Sequence, residues 1–395
     1  MTRRSALLAA AVFAVATCLR PAITAVGPVL TRIGDDLGLG ESALGLLGAL
    51  PLLAFAAVSP LVHRLSGRIG VERAILASLV ILAAGILVRS YTGDAGLWIG
   101  TLVLGSAIAV GNVLVPVLVR RDYPSNVSRA TGVYTACLTL AAGTASALAV
   151  PLADAVDWRF SLAVWAWLAV VVSLVWLPRV AAAPTVRTLP AYRDANPVSV
   201  WRQPMAWGLT AFMGLQSTTF YIMITWLPTI EGSAGVEPTV AGVHMFVFQG
   251  VGILAGLAIP SLMQHPTDQR LGVVVASAPM VVASAGFVLA PALMLLWVII
   301  AGLGQGAAFV AALSLVSLRG RSHHETTKLS GMTQSVGYLL AAAGPVLTGS
   351  LAESTGRWQA SLIVLGGLSI LQLAVAAIVG RDREPGDDSE LVGTV

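Results

Sequence analysis

Arg20 sits where a charge is hardest to keep. It lies inside an apolar run, residues 5–30 (SALLAAAVFAVATCLRPAITAVGPVL), long enough to cross a bilayer. A guanidinium at that depth costs roughly 3 kcal/mol on insertion scales, which makes it a functional-site candidate in its own right. Snorkelling does not rescue it, because the nearer end of the run is about ten residues, or ~15 Å of helix, away. The other apolar runs carry no Asp or Glu at depth. Arg20 therefore lacks an internal counter-ion, and a transported anion would supply one. The competing reading is a structural arginine bonded to backbone carbonyls or a tyrosine.

Other polar side chains inside apolar runs join it as candidates for holding a small solute. Thr17 and Thr24 lie three and four residues from Arg20, so a continuous helix sets all three on one face. Asn112 precedes Pro116 by four residues. It either contacts substrate or bonds the carbonyl that the proline frees. Gln216, Thr219 and Met223 share one helical face, and Ser217 and Tyr221 the next. Gln305 stands among Gly302, Gly304 and Gly306, which permit close helix approach. Gln216, Tyr221 and Gln305 either contact substrate or hydrogen-bond between helices. Tyr134, and Gln334 with Tyr338, form a second tier of gate or packing residues. Phe220, Tyr221 and Trp226 offer stacking surfaces for a neutral ring. His244 could couple protons, or serve as a satisfied structural donor.

These residues need twelve helices to position them. The 395-residue chain is 56% hydrophobic and 11% charged, against about 25% charged in soluble domains. Apolar runs fall at 5–30, 42–62, 73–91, 95–119, 128–153, 158–178, 205–230, 238–262, 271–290, 292–318, 328–352 and 358–380. This is an all-α polytopic protein of the inner, cytoplasmic membrane, in contact with lipid throughout. Arg3 and Arg4 before the first run resemble a signal peptide, but the run continues past Arg20 and many more follow. Cys18 and Cys137 fall inside runs and read as packing thiols. Arg32, Arg89, Arg159 and Arg357 fall in alternate connections, while the remaining Lys and Arg outside the runs share the other side. That bias puts both termini in the cytoplasm. It also accounts for the net charge of +4 without nucleic acid. Trp98, Trp158, Trp226 and Trp358 fall at outer ends, and Trp176 and Trp207 near inner ends, as an aromatic belt would.

The chain repeats weakly at an offset near 200. Pro28 matches Pro228, Pro60 matches Pro260, and Gly132 with Trp158 matches Gly331 with Trp358. Two six-helix halves follow, 1–178 and 204–380, joined by a cytoplasmic linker at 179–203 and trailed by a disordered tail at 381–395. Asp154 and Glu353 occupy corresponding outer ends and read as caps or gates. Nothing in the sequence suggests an enzyme, a cofactor or a metal site. His323-His324-Glu325 reads as a solvated loop end.

Several strings resemble the cyanate and 2-nitroimidazole transporter family (CynX/NimT type) of the major facilitator superfamily. They are Leu19-Arg20-Pro21; Gly111-Asn112-Val113-Leu114-Val115-Pro116 before Arg120; Gly132-Val133-Tyr134-Thr135; Gly214-Leu215-Gln216-Ser217; Phe220-Tyr221; Trp226-Leu227-Pro228; and Ala241-Gly242. The resemblance implies a cavity lined by helices 1, 4, 7 and 10. It also implies alternating-access transport by a monomer. The solute would be small and anionic or polar, cyanate-like, with protons as one available coupling ion. The alternative is a neutral heteroaromatic compound of the nitroimidazole type. A non-transporting sensor or scaffold is a third class, which the short soluble segments disfavour. The superfamily's cytoplasmic gate loop corresponds to Arg64, Arg68, Gly70 and Arg73. Gly67 stands where its acid is expected, which puts the usual latch in doubt.

Overall fold

The computed structural model describes residues 3–182, 199–264, 268–320 and 323–381. Arg187, Arg193 and most of the expected linker, together with Arg321 and the tail beyond 381, lie outside the described residues. The first span, α1, is broken into helices Arg3–Cys18, Pro21–Thr24 and Leu30–Leu37, with a 3-10 turn at Gly27–Val29. The others are α2 Glu41–Ile69, α3 Val71–Tyr91, α4 Gly93–Asp122, α5 Val127–Ala155, α6 Trp158–Ala182, α7 Pro204–Ser233, α8 Pro238–Ala258, α9 Arg270–Leu289, α10 Met294–Arg319, α11 His323–Thr355 and α12 Gln359–Val379. Eleven spans are long and apolar enough to cross a membrane. The helix outside that set is α7, which is 30 residues long but carries Gln216, Ser217, Thr218 and Thr219 at its middle. Nearly all of its central residues are buried, so protein rather than lipid surrounds that polar stretch.

The break in α1 follows from Pro21. Proline has no N–H and crowds the turn before it. Arg20 accordingly leaves the helical region, with φ −123° and ψ −36°. At the α2–α3 turn Gly70 has φ +90°, a conformation that costs glycine little and other residues much.

The first six and last six helices meet along α2 with α11 and α5 with α8, and where the turn of α1 crosses α7. The tight contacts lie toward one end of the bundle, the distal face, which holds the turns at 38–40, 156–157, 234–237 and 356–358. There Gly27 lies against the Ile224 carbonyl, so close that a Cβ would overlap it. Trp226 donates Nε1–H to the Pro345 carbonyl at 2.9 Å. Glu353 accepts the Ser42 N–H at 2.8 Å, placing a carboxylate on the N-terminus of α2, where the helix dipole favours it. Asp154 pairs with Arg32 at 2.7 Å, within the first six helices, and Arg159 with Asp36 at 2.8 Å.

The opposite, terminal face carries the start of α1 and the end of α12. Its ionic network ties α3, α4 and α6: Arg121 to Glu72 at 2.6 Å, and Arg179 to Asp122. Trp176 donates to the Glu72 carbonyl at 2.9 Å.

Several expectations are corrected here. Where an acid is missing at Gly67, Glu72 is the acid that organises this face; Arg64, Arg68 and Arg73 are exposed, with Arg68 in the last turn of α2. Trp158, Trp176 and Trp226 are buried and hydrogen-bonded, so a membrane belt is not their role. Arg89 is not a loop residue but a buried one, donating Nη1–H to the Ala22 carbonyl. The seventh span runs on past residue 230 and carries a fully buried carboxyl, Glu231.

Replacing Gly27 with alanine should force α1 off α7, and backbone cannot yield as a side chain does. Overpacking of this kind costs about 1–3 kcal/mol. Thermal unfolding in detergent should show a lower midpoint for Gly27→Ala. Gly232→Ala, where a Cβ meets nothing within 4 Å, should leave it unchanged.

Candidate functional site

A cavity of about 250 Å³ lies between the two groups of helices. Arg20 of α1 stands in its wall, with Thr131, Thr135 and Thr139 of α5, Gln216, Ser217, Phe220 and Tyr221 of α7, Phe248 and Gln249 of α8, Gln305 and Phe309 of α10, and Tyr338 of α11. The lining positions on α5, α8 and α10 run from mid-helix toward the terminal face. The seal described above closes the distal side. Of the four helices expected to line it, α1, α7 and α10 do so. α4 does not, and α5, α8 and α11 contribute instead.

Arg20 reaches the cavity because the chain breaks around it. Its Nη1 donates to the Tyr221 hydroxyl at 3.3 Å, and its guanidinium carbon lies 5.6 Å from the centre of the Phe220 ring. Both contacts are weak holds on a full charge: a long hydrogen bond to an uncharged hydroxyl and a cation–π approach. The buried Nε has no partner among the described residues. Among the described residues, no carboxylate lines the cavity. The surrounding rings pack on one another. Phe220 meets Tyr221 edge-on at 5.3 Å and stacks with Phe248 at 6.1 Å, and Tyr338 meets Tyr221 at 6.5 Å. The result is one strong donor group framed by flat apolar faces.

An amide network forms the other polar surface. Gln216 donates to Gln305 at 3.1 Å, Gln305 donates to Thr219 at 2.7 Å, and Thr219 donates to Gln372 at 3.2 Å. Ser217 donates to Gln216 at 3.3 Å. Gln216 and Gln305 thus both line the cavity and brace α7 against α10, so the two roles offered for them coexist. Gln249 differs: its buried Nε2 has no partner among the described residues.

The remaining candidates lie elsewhere. Thr17 is half-buried and bonds the Ala14 carbonyl at 2.7 Å. Thr24 is buried and bonds the Ala142 carbonyl of α5 at 2.9 Å, while Ser146 bonds the Thr24 carbonyl at 2.9 Å. Helical spacing puts Thr17 on Arg20's face only if the helix is continuous, and the break at Leu19–Arg20 lies between them. The Arg20–Thr24 turn is helical, with the Thr24 N–H bonded to the Arg20 carbonyl at 3.0 Å, and Thr24 is taken up by its contact with α5. Asn112 is half-buried on α4, away from the cavity, with no side-chain hydrogen bond among the described residues. Trp226 is spent on the distal seal, with Trp358 at 4.8 Å. Gln334 bonds Ser330 at 2.9 Å. Tyr134 packs on the core beside the cavity without lining it. His244 is paired through Nδ1 with Glu231 at 2.7 Å, outside the cavity.

Gln249, Phe248 and the threonines at 131, 135 and 139 are lining residues that the sequence reading left out. The i, i+4 spacing of the threonines on an otherwise apolar helix was the available signal. Gln249 is an amide within an apolar run, the same signal that marks Gln216 and Gln305.

The family model described as Major Facilitator Superfamily matches residues 12–345. A 2-nitroimidazole transporter of Escherichia coli K12 is 37% identical over 379 residues, 96% of each chain. The cyanate transport protein CynX of the same strain is 27% identical over 370 residues, 91% of this chain and 94% of the other. Among solved structures, a bacterial homologue of the human lysosomal transporter Spinster, inward-facing and occupied, superimposes with a TM-score of 0.76 at 16% identity. That match covers 98% of this chain and all of the other; at that identity it speaks for the fold alone.

Two substitutions separate bracing from recognition. Gln305→Leu strands Gln216 and Thr219 and should cost about 1–3 kcal/mol of stability. Gln249→Leu removes an amide nitrogen without a partner among the described residues. Its unfolding midpoint should stay near wild type while ligand affinity falls, by up to roughly tenfold for one neutral hydrogen bond.

Proposed function

The chain belongs to the major facilitator superfamily, and on that footing we propose that it is a secondary active transporter of small organic solutes bearing an anionic or nitro-like acceptor group. The observation that carries this reading is Arg20: a guanidinium in the cavity wall, with an unpartnered N–H and no carboxylate among the lining residues. A planar pair of acceptor oxygens matches a guanidinium fork, and a linear anion such as cyanate takes one prong. The flat faces of Phe220 and Phe248 suit a ring attached to that group. The names of the two relatives, a 2-nitroimidazole transporter and a cyanate transport protein, fit such a pair of requirements. The absence of a cavity acid among the described residues argues against organic cations.

The transport cycle in this proposal is alternating access between the units 1–178 and 204–380, linked through 179–203. The Lys and Arg bias assigns the terminal face to the cytoplasm, so the distal seal makes this conformation inward-facing. The Glu231–His244 pair is the buried titratable couple available if protons drive the cycle.

Flux of a labelled small aromatic acid into proteoliposomes tests the reading. Removing a charge-assisted hydrogen bond costs about 1.5–3 kcal/mol, so Arg20→Gln should lose roughly 10- to 150-fold in apparent affinity. Arg20→Lys should retain part of it. Arg20→Gln protein that remains monodisperse and transports like wild type would overturn the proposal.

A further inference from the structure

A second buried guanidinium lies on the sealed side of the molecule. Arg89 of α3 is 2% exposed. One of its nitrogens, Nη1, donates to the Ala22 carbonyl at the break in α1. Its Nε and Nη2 are buried and have no partner among the described residues. Arg89 borders a separate cavity of about 20 Å³, whose wall also includes Gly27, Gly48, Thr101, Ile224 and Thr225. No lining residue is acidic.

We propose that the Arg89 cavity binds one small monovalent anion of the chloride class, distinct from the transported solute. The size fits, since one water needs about 10–15 Å³ on this measure. Charge decides between water and an anion. A water would take up a hydrogen bond but leave a full positive charge in a low-dielectric interior, where an uncompensated ion is costly. An anion in the cavity beside the guanidinium answers the charge, and the Thr225 hydroxyl in the same wall is at hand as a donor. The wall gives the site a mechanical consequence. Ile224 and Thr225 come from α7, in the last six helices, whereas Arg89, Gly27, Gly48 and Thr101 come from the first six. The pocket is complete only while the distal seal is closed, so its anion favours that state over one open to the distal face. Nothing in this argument depends on the identity of the transported solute.

Thermal unfolding of the detergent-solubilised protein in chloride, against gluconate at equal ionic strength, is the first test. An anion held only by the folded state raises the midpoint by mass action. Wild type should therefore gain a few degrees in chloride, and Arg20→Gln should gain as much. Arg89→Gln should gain nothing. Equal midpoints for wild type in the two salts, or a chloride response surviving in Arg89→Gln, would overturn the proposal. Should Arg89→Gln fail to fold, wild-type crystals grown in bromide decide the matter. An anomalous peak beside the Arg89 guanidinium supports the site, and density without one there refutes it.

Discussion

Two guanidiniums beside one broken helix, Arg20 half-buried and Arg89 buried, set the terms for the rest of this molecule. A guanidinium stays protonated in a protein, so it cannot escape burial by titrating as a lysine or carboxyl would. Arg20 and Arg89 flank the Pro21 break, one turned to the open cavity and the other to the sealed side. Neither has a carboxylate among the residues that line its cavity. The protein answers with partial measures: the Tyr221 hydroxyl and the Phe220 face for Arg20, and the Ala22 carbonyl for Arg89. Charge compensation is left incomplete at the two places where a ligand can complete it.

The helical frame makes that incompleteness tolerable. α7 is too polar to face lipid along its middle, and the structure surrounds it with protein. Its Gln216 and Thr219 bond α10 and α12 on one side, while Phe220 and Tyr221 meet Arg20 on the other. Interhelical amide bonds in a membrane are individually modest, commonly about 0.6–2 kcal/mol, so several of them share the task. At the distal end the seal rests mainly on backbone proximity, Gly27 on Ile224 and Gly45 on Pro345, and on few ionic contacts. A seal of packing surfaces and one carboxylate cap, Glu353 on α2, can part without stranding a buried charge pair.

Span number, all-helical class and a guanidinium of Arg20 held inside the bundle are legible in the sequence because they rest on composition and on the cost of a charge in hydrocarbon. Helical periodicity failed where its premise failed. Thr17 is separated from Arg20 by the break that Pro21 imposes, and Pro21 is in plain view; Thr24 stays one helical turn from Arg20 but is spent on α5. Arg89 was read as a loop cation because it lies near a span end. Its burial comes from contact with α1, which no local pattern reveals. Glu231 was missed by one residue, since the seventh run was ended at 230. Asn112 has suitable chemistry on a span that does not reach the cavity, and Trp226 lies on the stretch of α7 beyond it, within the distal seal; which helices face the cavity is decided by the conformation between the two groups of six.

The central claim is that the ligand supplies the charge Arg20 lacks. Isothermal titration of wild-type protein with a matched pair of ring compounds, benzoate and benzamide, isolates that term, because the two share size and shape and differ in charge. Benzoate should bind more tightly than benzamide by roughly tenfold or more, as expected when a charged acceptor replaces an uncharged one opposite a guanidinium. Equal affinity for the two would contradict the account and make Arg20 a structural residue.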